Sequence, residues 1–276
     1  GGGVSGFAAG VYTLAVFDDG SGPALYAGGE FTLAGGAAAN RIAKWNGSSW
    51  SALGGGMNGS VLALAEFDDG GGLALYAGGA FTTADGTAAK DIAKWNGSSW
   101  SVLGSGVSNP VLALTVFDDG NGLALYAGGD FSSAGGVSAS RIASWNGSNW
   151  SSLGGGTSGK VAALTVFDDG SGPELCAGGA FTSAGGAAAS RVALWSGSSW
   201  TALGAGVNDP INAFSVFDDG GGPALFAGGH FTRASGAPAS RIAKWSGASW
   251  LPLGAGVDDA VLALTVFDDG GGPALY

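Results

Sequence analysis

Six pairs of adjacent aspartates are the commonest residues in this chain that could do chemistry. Each pair stands in the string Phe-Asp-Asp-Gly, which begins at positions 17, 67, 117, 167, 217 and 267. Ca²⁺ binds carboxylate oxygens, but calcium loops space their acids at alternate positions, whereas these acids are adjacent. Asp-Gly strings are typical of hairpin turns, and neighbouring side chains point in different directions. We therefore predict a turn-forming role for the aspartates and no metal site.

One position in the repeated sequence changes its chemistry from copy to copy. It lies between a Gly-Gly pair and a Phe that is present in every complete copy, and it holds Glu30, Ala80, Asp130, Ala180 and His230. If a ligand is bound with specificity, we expect Glu30, Asp130 and His230 to contact it. The alternative is an ordinary exposed loop position.

Enzymatic chemistry is poorly supported by the residue types. A catalytic triad needs a histidine beside a nucleophile and an orienting acid, and the chain has one histidine, at the changing position just described. Glycoside hydrolysis needs two particular carboxylates across a cleft, and equivalent turn acids give no reason to single out two. We predict no catalytic residues, no cofactor and no enzymatic activity.

The elements that position these residues recur every 50 residues. All ten tryptophans fall into pairs with this step, from Trp45 and Trp50 to Trp245 and Trp250. A fixed period of this size is typical of propellers, solenoids and arrays. The question of fold therefore becomes the structure of one unit.

Each unit contains four segments that predict β-strands. Examples are Val61–Phe67, Ala24–Gly29, Arg41–Trp45 and Trp50–Leu53. Asn46-Gly47 predicts a tight turn between the third and fourth strands. Proline cannot donate to a strand ladder, so Pro252 in the fifth copy predicts that the fourth strand is an outer edge.

These patterns predict an all-β fold: a β-propeller of four-stranded antiparallel blades, with five full blades plus half of a sixth. A β-solenoid is the competing structure, and the hairpin turns argue against it. We expect a single repeat domain over residues 1–276. Its units lie at about 4–53, 54–103, 104–153, 154–203, 204–253 and, in part, 254–276.

The third strand offers partners for the aspartates. It begins with Arg41, Arg141, Arg191 and Arg241 in four copies and with Asp91 in the other. Arginine forms two-pronged bonds to carboxylates, which predicts a repeated Arg–Asp bridge. The position of Lys44 changes through Lys, Ser and Leu between copies, which indicates a solvent-facing side chain.

The repeat resembles that of kelch β-propellers. The resemblance rests on Gly28-Gly29, an aromatic at Trp45 before a turn, and Trp50 opening the last strand, with Trp45 standing where kelch repeats usually have Tyr. The string from Leu25 to Trp50 is similar also to the delta-sixty repeats of bacterial surface proteins and to fungal cortical-marker propeller repeats. The resemblance implies the propeller fold and little about activity, because propellers host many functions. The copper-radical oxidases built on kelch-type propellers need two histidines at the metal, which this chain does not have.

Composition and charge limit the classes of partner that we expect the chain to bind. The formal net charge is −11 with only ten basic residues, which disfavours nucleic acid and anionic membrane surfaces. No apolar run approaches the ~20 residues of a membrane span, and no leader sequence is evident at the first residues. The sixth copy stops at Tyr276 after two strands. We therefore expect either that the chain is part of a longer array or that it has protein partners or self-associates through the incomplete blade.

Two functions from different classes remain open. The first is a non-enzymatic structural or interaction scaffold, extracellular or on a cell surface, because low charge, high glycine content and near-identical copies suit a scaffold. The second is a multivalent carbohydrate- or small-ligand-binding propeller with one weak site in each blade.

Overall fold

The structure, a computed structural model, describes residues 2–6 and 9–276, which form β-strands, turns and loops without any helix. Five four-stranded antiparallel sheets follow one another about 50 residues apart. Within each sheet the four strands lie side by side in chain order. The prediction of an all-β fold made of four-stranded antiparallel units is therefore confirmed.

The strands of the five sheets have closely matching bounds. The first strands are Val11–Asp18, Ser60–Asp68, Val111–Asp118, Val161–Asp168 and Ile211–Asp218. The second strands are Pro23–Gly29, Leu73–Ala80, Leu123–Gly129, Pro173–Gly179 and Pro223–Gly229. The third strands are Ile42–Trp45, Ile92–Trp95, Ile142–Trp145, Val192–Trp195 and Ile242–Trp245. The fourth strands are Trp50–Ala52, Trp100–Val102, Trp150–Ser152, Trp200–Ala202 and Trp250–Pro252.

Short hairpins connect the second and third strands of each sheet. They pair Leu33–Ala34 with Ala37–Ala38, Thr83–Ala84 with Thr87–Ala88, Ser133–Ala134 with Val137–Ser138, Ser183–Ala184 with Ala187–Ala188, and Arg233–Ala234 with Ala237–Pro238. Val4–Ser5 adds a strand to the first of these hairpins. The last two strands, Val266–Asp268 and Pro273–Leu275, form a two-stranded ladder.

The edges and turns of the sheets follow from the sequence with one correction. Pro252 lies in the fourth strand, which is the outermost strand of its sheet, as predicted. Trp45 pairs directly with Trp50, so the loop between them has four residues rather than the tight two-residue turn that Asn46-Gly47 predicted. The Asn46 side chain closes this longer loop, because its Oδ1 accepts from the backbone of Ser48 and Ser49 at 3.0 and 2.9 Å.

A β-bulge begins every first strand, and the sequence did not predict it. In the first sheet the register with the second strand shifts between Val11 and Thr13, and the same shift recurs in the other four sheets. The bulge brings the backbone of Gly10 against Gly29 so closely that a Cβ on Gly29 would overlap the Gly10 carbonyl. This close approach explains the second glycine of the Gly-Gly pair.

The first glycine of that pair has a different role, in packing one sheet on the next. A Cβ on Gly28 would lie 2.5 Å from Val61 Cγ1, which belongs to the following sheet, and Gly78 has the same relation to Val111. The absence of a side chain therefore lets a valine of the next sheet pack directly on the second strand.

The fourth-strand tryptophans fix each sheet to the one before it. The indole N–H of Trp100 donates to Leu53 O at 3.0 Å, and Trp150 donates to Leu103 O at 3.2 Å. Two later tryptophans repeat the bond with Leu153 and Leu203 at 2.9 and 3.0 Å. Each bond is buried or half-buried, so its loss would leave polar groups unsatisfied.

The chain divides into two compact units. The first comprises Gly1–Asp118 with Gly122–Ser152, and the second comprises Asp119–Asn121 with Leu153–Tyr276. In the first unit, clusters of buried apolar side chains join the first sheet to the second and the second to the third. In the second unit, one cluster joins the fourth and fifth sheets. The core of each unit therefore lies between successive sheets.

Candidate functional site

The first aspartate of each pair closes the turn between the first and second strands. Asp18 Oδ1 accepts from the backbone N–H groups of Gly20 and Gly22 at 2.8 and 2.9 Å. The same two bonds are made by Asp68, Asp168, Asp218 and Asp268. The predicted turn-forming role is confirmed for these residues.

The second aspartate binds side chains of the second and third strands. Asp19 Oδ2 accepts from the Tyr26 hydroxyl at 2.9 Å and from Lys44 Nζ at 2.6 Å. Lys44 Nζ also lies 5.8 Å from the centroid of the Tyr26 ring. The three side chains form an Asp–Tyr–Lys network that joins the hairpin tip to the third strand.

Two further sheets repeat this network. Asp69 accepts from Tyr76 at 2.8 Å and from Lys94 at 2.7 Å. In the fifth sheet Asp219 pairs with Lys244, and a phenylalanine replaces the tyrosine. The lysine is mostly covered, with 13% of the Lys44 side chain exposed. The prediction that this position faces solvent is therefore wrong, and its variation changes a buried ion pair.

The network shifts the pKa values of its members. Burial raises the pKa of Asp19, but hydrogen bonds from Lys44, Ser21 and Tyr26 outweigh it, and the pKa lies well below its usual range. Burial and the bond to Asp19 raise the pKa of Tyr26 far above 10. Neither group changes its charge near neutral pH. The network therefore has the properties of a stabilising contact between strands rather than of an acid–base catalyst.

The predicted Arg–Asp bridge is wrong for three of the four arginines. Arg41, Arg191 and Arg241 form no ion pair with the described residues, and Arg41 Nη1 instead reaches Met57 O at 3.5 Å. All five residues at this position have positive φ, from 61° to 69°. Lysine, rather than arginine, binds the second aspartate of the pair. This is because the lysine position in the third strand pairs directly with the tyrosine of the second strand, as Lys44 does with Tyr26.

The one acid at this position is Asp91, and it lies in a different environment from the turn aspartates. Its Oδ1 accepts from the backbone N–H of Phe81 at 3.1 Å. Burial raises the pKa of Asp91 to about 6, which the bond from Phe81 opposes only in part. Asp91 is therefore a carboxylate that titrates close to neutral pH.

The three predicted ligand-contacting residues lie at three different sheets, Glu30 and Asp130 in the first unit and His230 in the second. Glu30 accepts from the Tyr12 hydroxyl at 3.3 Å, and the backbone N–H groups of Asp130 and His230 donate to Pro110 O and Pro210 O. Each residue directly follows the second strand of its own sheet, and no hydrogen bond or ion pair between described residues joins the side chains of Glu30 and Asp130. A role for Glu30, Asp130 and His230 in ligand binding stays a prediction.

No group of three or more potential metal-ligating side chains occurs within residues 2–6 and 9–276. The same part of the chain contains no helix that is long and apolar enough to span a membrane. The sequence-based expectations of no metal and no cofactor stay expectations.

An exposed apolar face is the feature that the sequence did not reveal. In the first strand of the first sheet, Leu14 is 58% exposed and Val16 is 61% exposed. Val11 is 42% exposed, whereas Val61, its equivalent in the second sheet, is completely buried. The same residues that form the core between later sheets are therefore uncovered here. We call Val11, Leu14 and Val16 the front face.

The last residues of the chain show the same exposure. Leu262, which precedes the two-stranded ladder, is 72% exposed, and Phe267, which lies in the ladder, is 60% exposed. Phe67, the equivalent of Phe267 in the second sheet, is buried. A two-stranded ladder with an uncovered apolar side is marginally stable by itself in water. The apolar side chains of this ladder are thus exposed in the structure, as those of the front face are.

Comparisons with known proteins give no assignment of function. No family model matches the chain, and no curated protein matches it. One solved structure that the chain matches is the extracellular domain of a putative one component system from B. thetaiotaomicron, with a TM-score of 0.44 and 11% identity. The match covers 100% of this chain but only 38% of that one, so function must be inferred from the residues described above.

Proposed function

We propose that the chain is a non-enzymatic interaction scaffold whose sheets are the blades of a kelch-like β-propeller array. The arrangement within each unit supports the propeller, because the first strands of successive sheets are in contact. First strands that contact one another are typical of blades arranged around an axis. The fourth strands, with Pro252 among them, lie at the outer edges.

The front face is the observation that carries the interaction role. Soluble proteins rarely leave a row of large apolar side chains uncovered unless the row binds a partner. Val61 shows what covers this row elsewhere: it packs on Gly28, in the second strand of the preceding sheet. The surface that best fits the front face is therefore another copy of the same kind of sheet.

We assign this covering surface to a second copy of the chain. The ladder that includes Phe267 is also exposed and apolar, so a contact of the same kind would cover it. The chain is acidic, and its near-identical units favour contacts that repeat the existing sheet-on-sheet packing. An extracellular or cell-surface location suits such a scaffold and is part of the proposal.

Native mass spectrometry and sedimentation over a range of concentrations test the proposal. We expect oligomers of the native protein and their loss in Leu14→Lys, which puts a charge in the centre of the front face. Leu123→Lys is the matched control, because Leu123 is 62% exposed and lies in a second strand away from the front face. A monomer at every concentration, or equal association of both variants, would contradict the proposal.

A further inference from the structure

A cavity of about 360 Å³ lies in the second unit, between the fourth and fifth sheets. Its walls combine apolar side chains with a carboxylate, an ammonium group and an indole. The residues that matter for its chemistry are Phe167, Asp169, Pro223, Lys244, Trp245 and Leu251. Cavities of about 300–1,000 Å³ are the usual size for small-molecule sites.

The cavity exists because this junction between sheets is open where the equivalent junctions are closed. In the first unit, a Cβ on Gly97 would lie 2.9 Å from Asp19 O of the preceding sheet. In the second unit, a Cβ on Gly197 would overlap Asp119 O. A Cβ on Gly247 would meet no atom within 4 Å, although it stands at the same position of the repeat.

The carboxylate of the cavity lacks the lysine found in three other sheets. Leu194 replaces the lysine of the third strand, so the side-chain partner of Asp169 is Ser171, whose Oγ donates at 2.7 Å. Lys244 also borders the cavity, but its Nζ is bound to Asp219. The carboxylate of Asp169 can therefore still accept a hydrogen bond where the equivalent aspartates accept one from lysine.

An indole donor stands opposite this acceptor. Trp245 is only 6% exposed, and its N–H has no hydrogen-bond partner among the described residues. In the preceding sheet, the N–H of Trp195 donates to Asp119 Oδ2 at 3.4 Å. The corresponding bond from Trp245 to Asp169 is not made. The N–H groups of Trp95 and Trp145 also lack a partner among the described residues, so what distinguishes Trp245 is the cavity that it borders.

We propose that this cavity binds a neutral polyhydroxyl ligand of the size of one sugar ring. A hydroxyl both accepts and donates, so it can bridge the Trp245 side of the cavity and Asp169. Phe167, Pro223 and Leu251 supply apolar surface for the C–H groups of a ring. Asp168 and Asp169 disfavour an anion.

Saturation-transfer NMR and calorimetry with the methyl glycosides of glucose, galactose and mannose test this site. We expect saturable binding of at least one glycoside in the millimolar range. Asp169→Asn keeps the shape and removes the charge, and we expect it to weaken binding about tenfold, the effect of losing one good hydrogen bond. Leu194→Lys should abolish binding, because the new ammonium reproduces the lysine–aspartate pair of the other sheets and occupies the carboxylate.

Leu194→Met is the matched control, because it changes the same buried side chain without adding charge. We expect it to bind like the native protein, and an unchanged melting temperature in all variants excludes loss of the fold. The proposal is overturned if no glycoside saturates, or if Leu194→Lys binds as well as Leu194→Met. These outcomes do not depend on self-association through the front face, which the Leu14→Lys variant tests separately.

Discussion

The raised pKa of Asp91 makes the stability of the protein depend on pH, and one substitution removes this contribution. The other four sheets have arginine at the position of Asp91, and three of these arginines have no acidic partner among the described residues. The φ of Asp91 is 61°. Asparagine tolerates this left-handed conformation and keeps an Oδ1 that can accept from Phe81. We therefore expect Asp91→Asn to be structurally silent and to remove a charge that burial disfavours.

The sign follows from the two pKa values. The carboxyl titrates at about 6 in the folded protein and at an ordinary 3.8 otherwise, so the folded state holds its proton more tightly. Its contribution to stability is fully present below pH 4 and is lost as the pH rises through about 6. The difference sets an upper limit of roughly 3 kcal/mol at 1.36 kcal/mol for each pKa unit. Asp91 is only partly buried, and solvent screening reduces the expected effect to about 1 kcal/mol.

Urea unfolding followed by tryptophan fluorescence at pH 4, 6 and 8 measures the effect. We expect Asp91→Asn to match the native protein at pH 4 and to be more stable by about 1 kcal/mol at pH 8, or roughly 2–4 °C in melting temperature. Arg41→Asn is the control, because it makes the same new residue at the equivalent position without removing an acid. Its stability difference from the native protein should not change with pH.

Two results would refute this reasoning. Equal stability of Asp91→Asn and the native protein at pH 8 would mean that the carboxylate is well solvated in the folded state. A native protein that gains stability relative to Asp91→Asn between pH 4 and pH 8 would mean that the charged form is bound by a partner and that the direction of the pKa is wrong.

Three further predictions concern the contacts within the repeat. Lys94→Met should destabilise the protein by about 1–3 kcal/mol, because the half-buried Asp69 loses its ion pair, and urea unfolding measures it. Trp100→Phe should cost about 1–2 kcal/mol in the same assay, because Leu53 O loses its buried donor. Gly28→Ala should cost about 1–3 kcal/mol and disturb near-ultraviolet circular dichroism, because the new Cβ would lie 2.5 Å from a side chain of the next sheet.

The sequence alone was sufficient to predict the secondary structure of one repeat unit. Repetition shows which positions hold one residue type, and the pattern of short apolar runs, Asp-Gly turns and paired tryptophans leaves little choice of secondary structure. Pro252 placed the outer edge correctly because a missing N–H is a local property. Features that depend on one residue's own backbone chemistry could therefore be predicted.

The features that were missed depend on residues far apart in the chain. Lys44 meets Asp19 because both lie beside Tyr26 once the strands are in register. The periodicity of the third strand contains no information on that register, so the lysine was assigned to solvent. Likewise, arginine is not a residue type that indicates positive φ, and Arg41 adopts it because its backbone N–H and C=O bond Phe31 and Gly29.

Because the copies are nearly identical, a residue that departs from the repeat pattern can be compared with its equivalents in the other copies, as a substitution is compared with the native residue. In the fourth sheet Leu194 removes the cation, Glu174 adds an acid beside the hairpin and burial raises its pKa, and the junction with the next sheet stays open. The first and second sheets keep the lysine, and at their junction a Cβ on Gly97 would lie 2.9 Å from Asp19 O. The scaffold is therefore built from what the copies have in common, and a specific site is most reasonably sought where one copy differs.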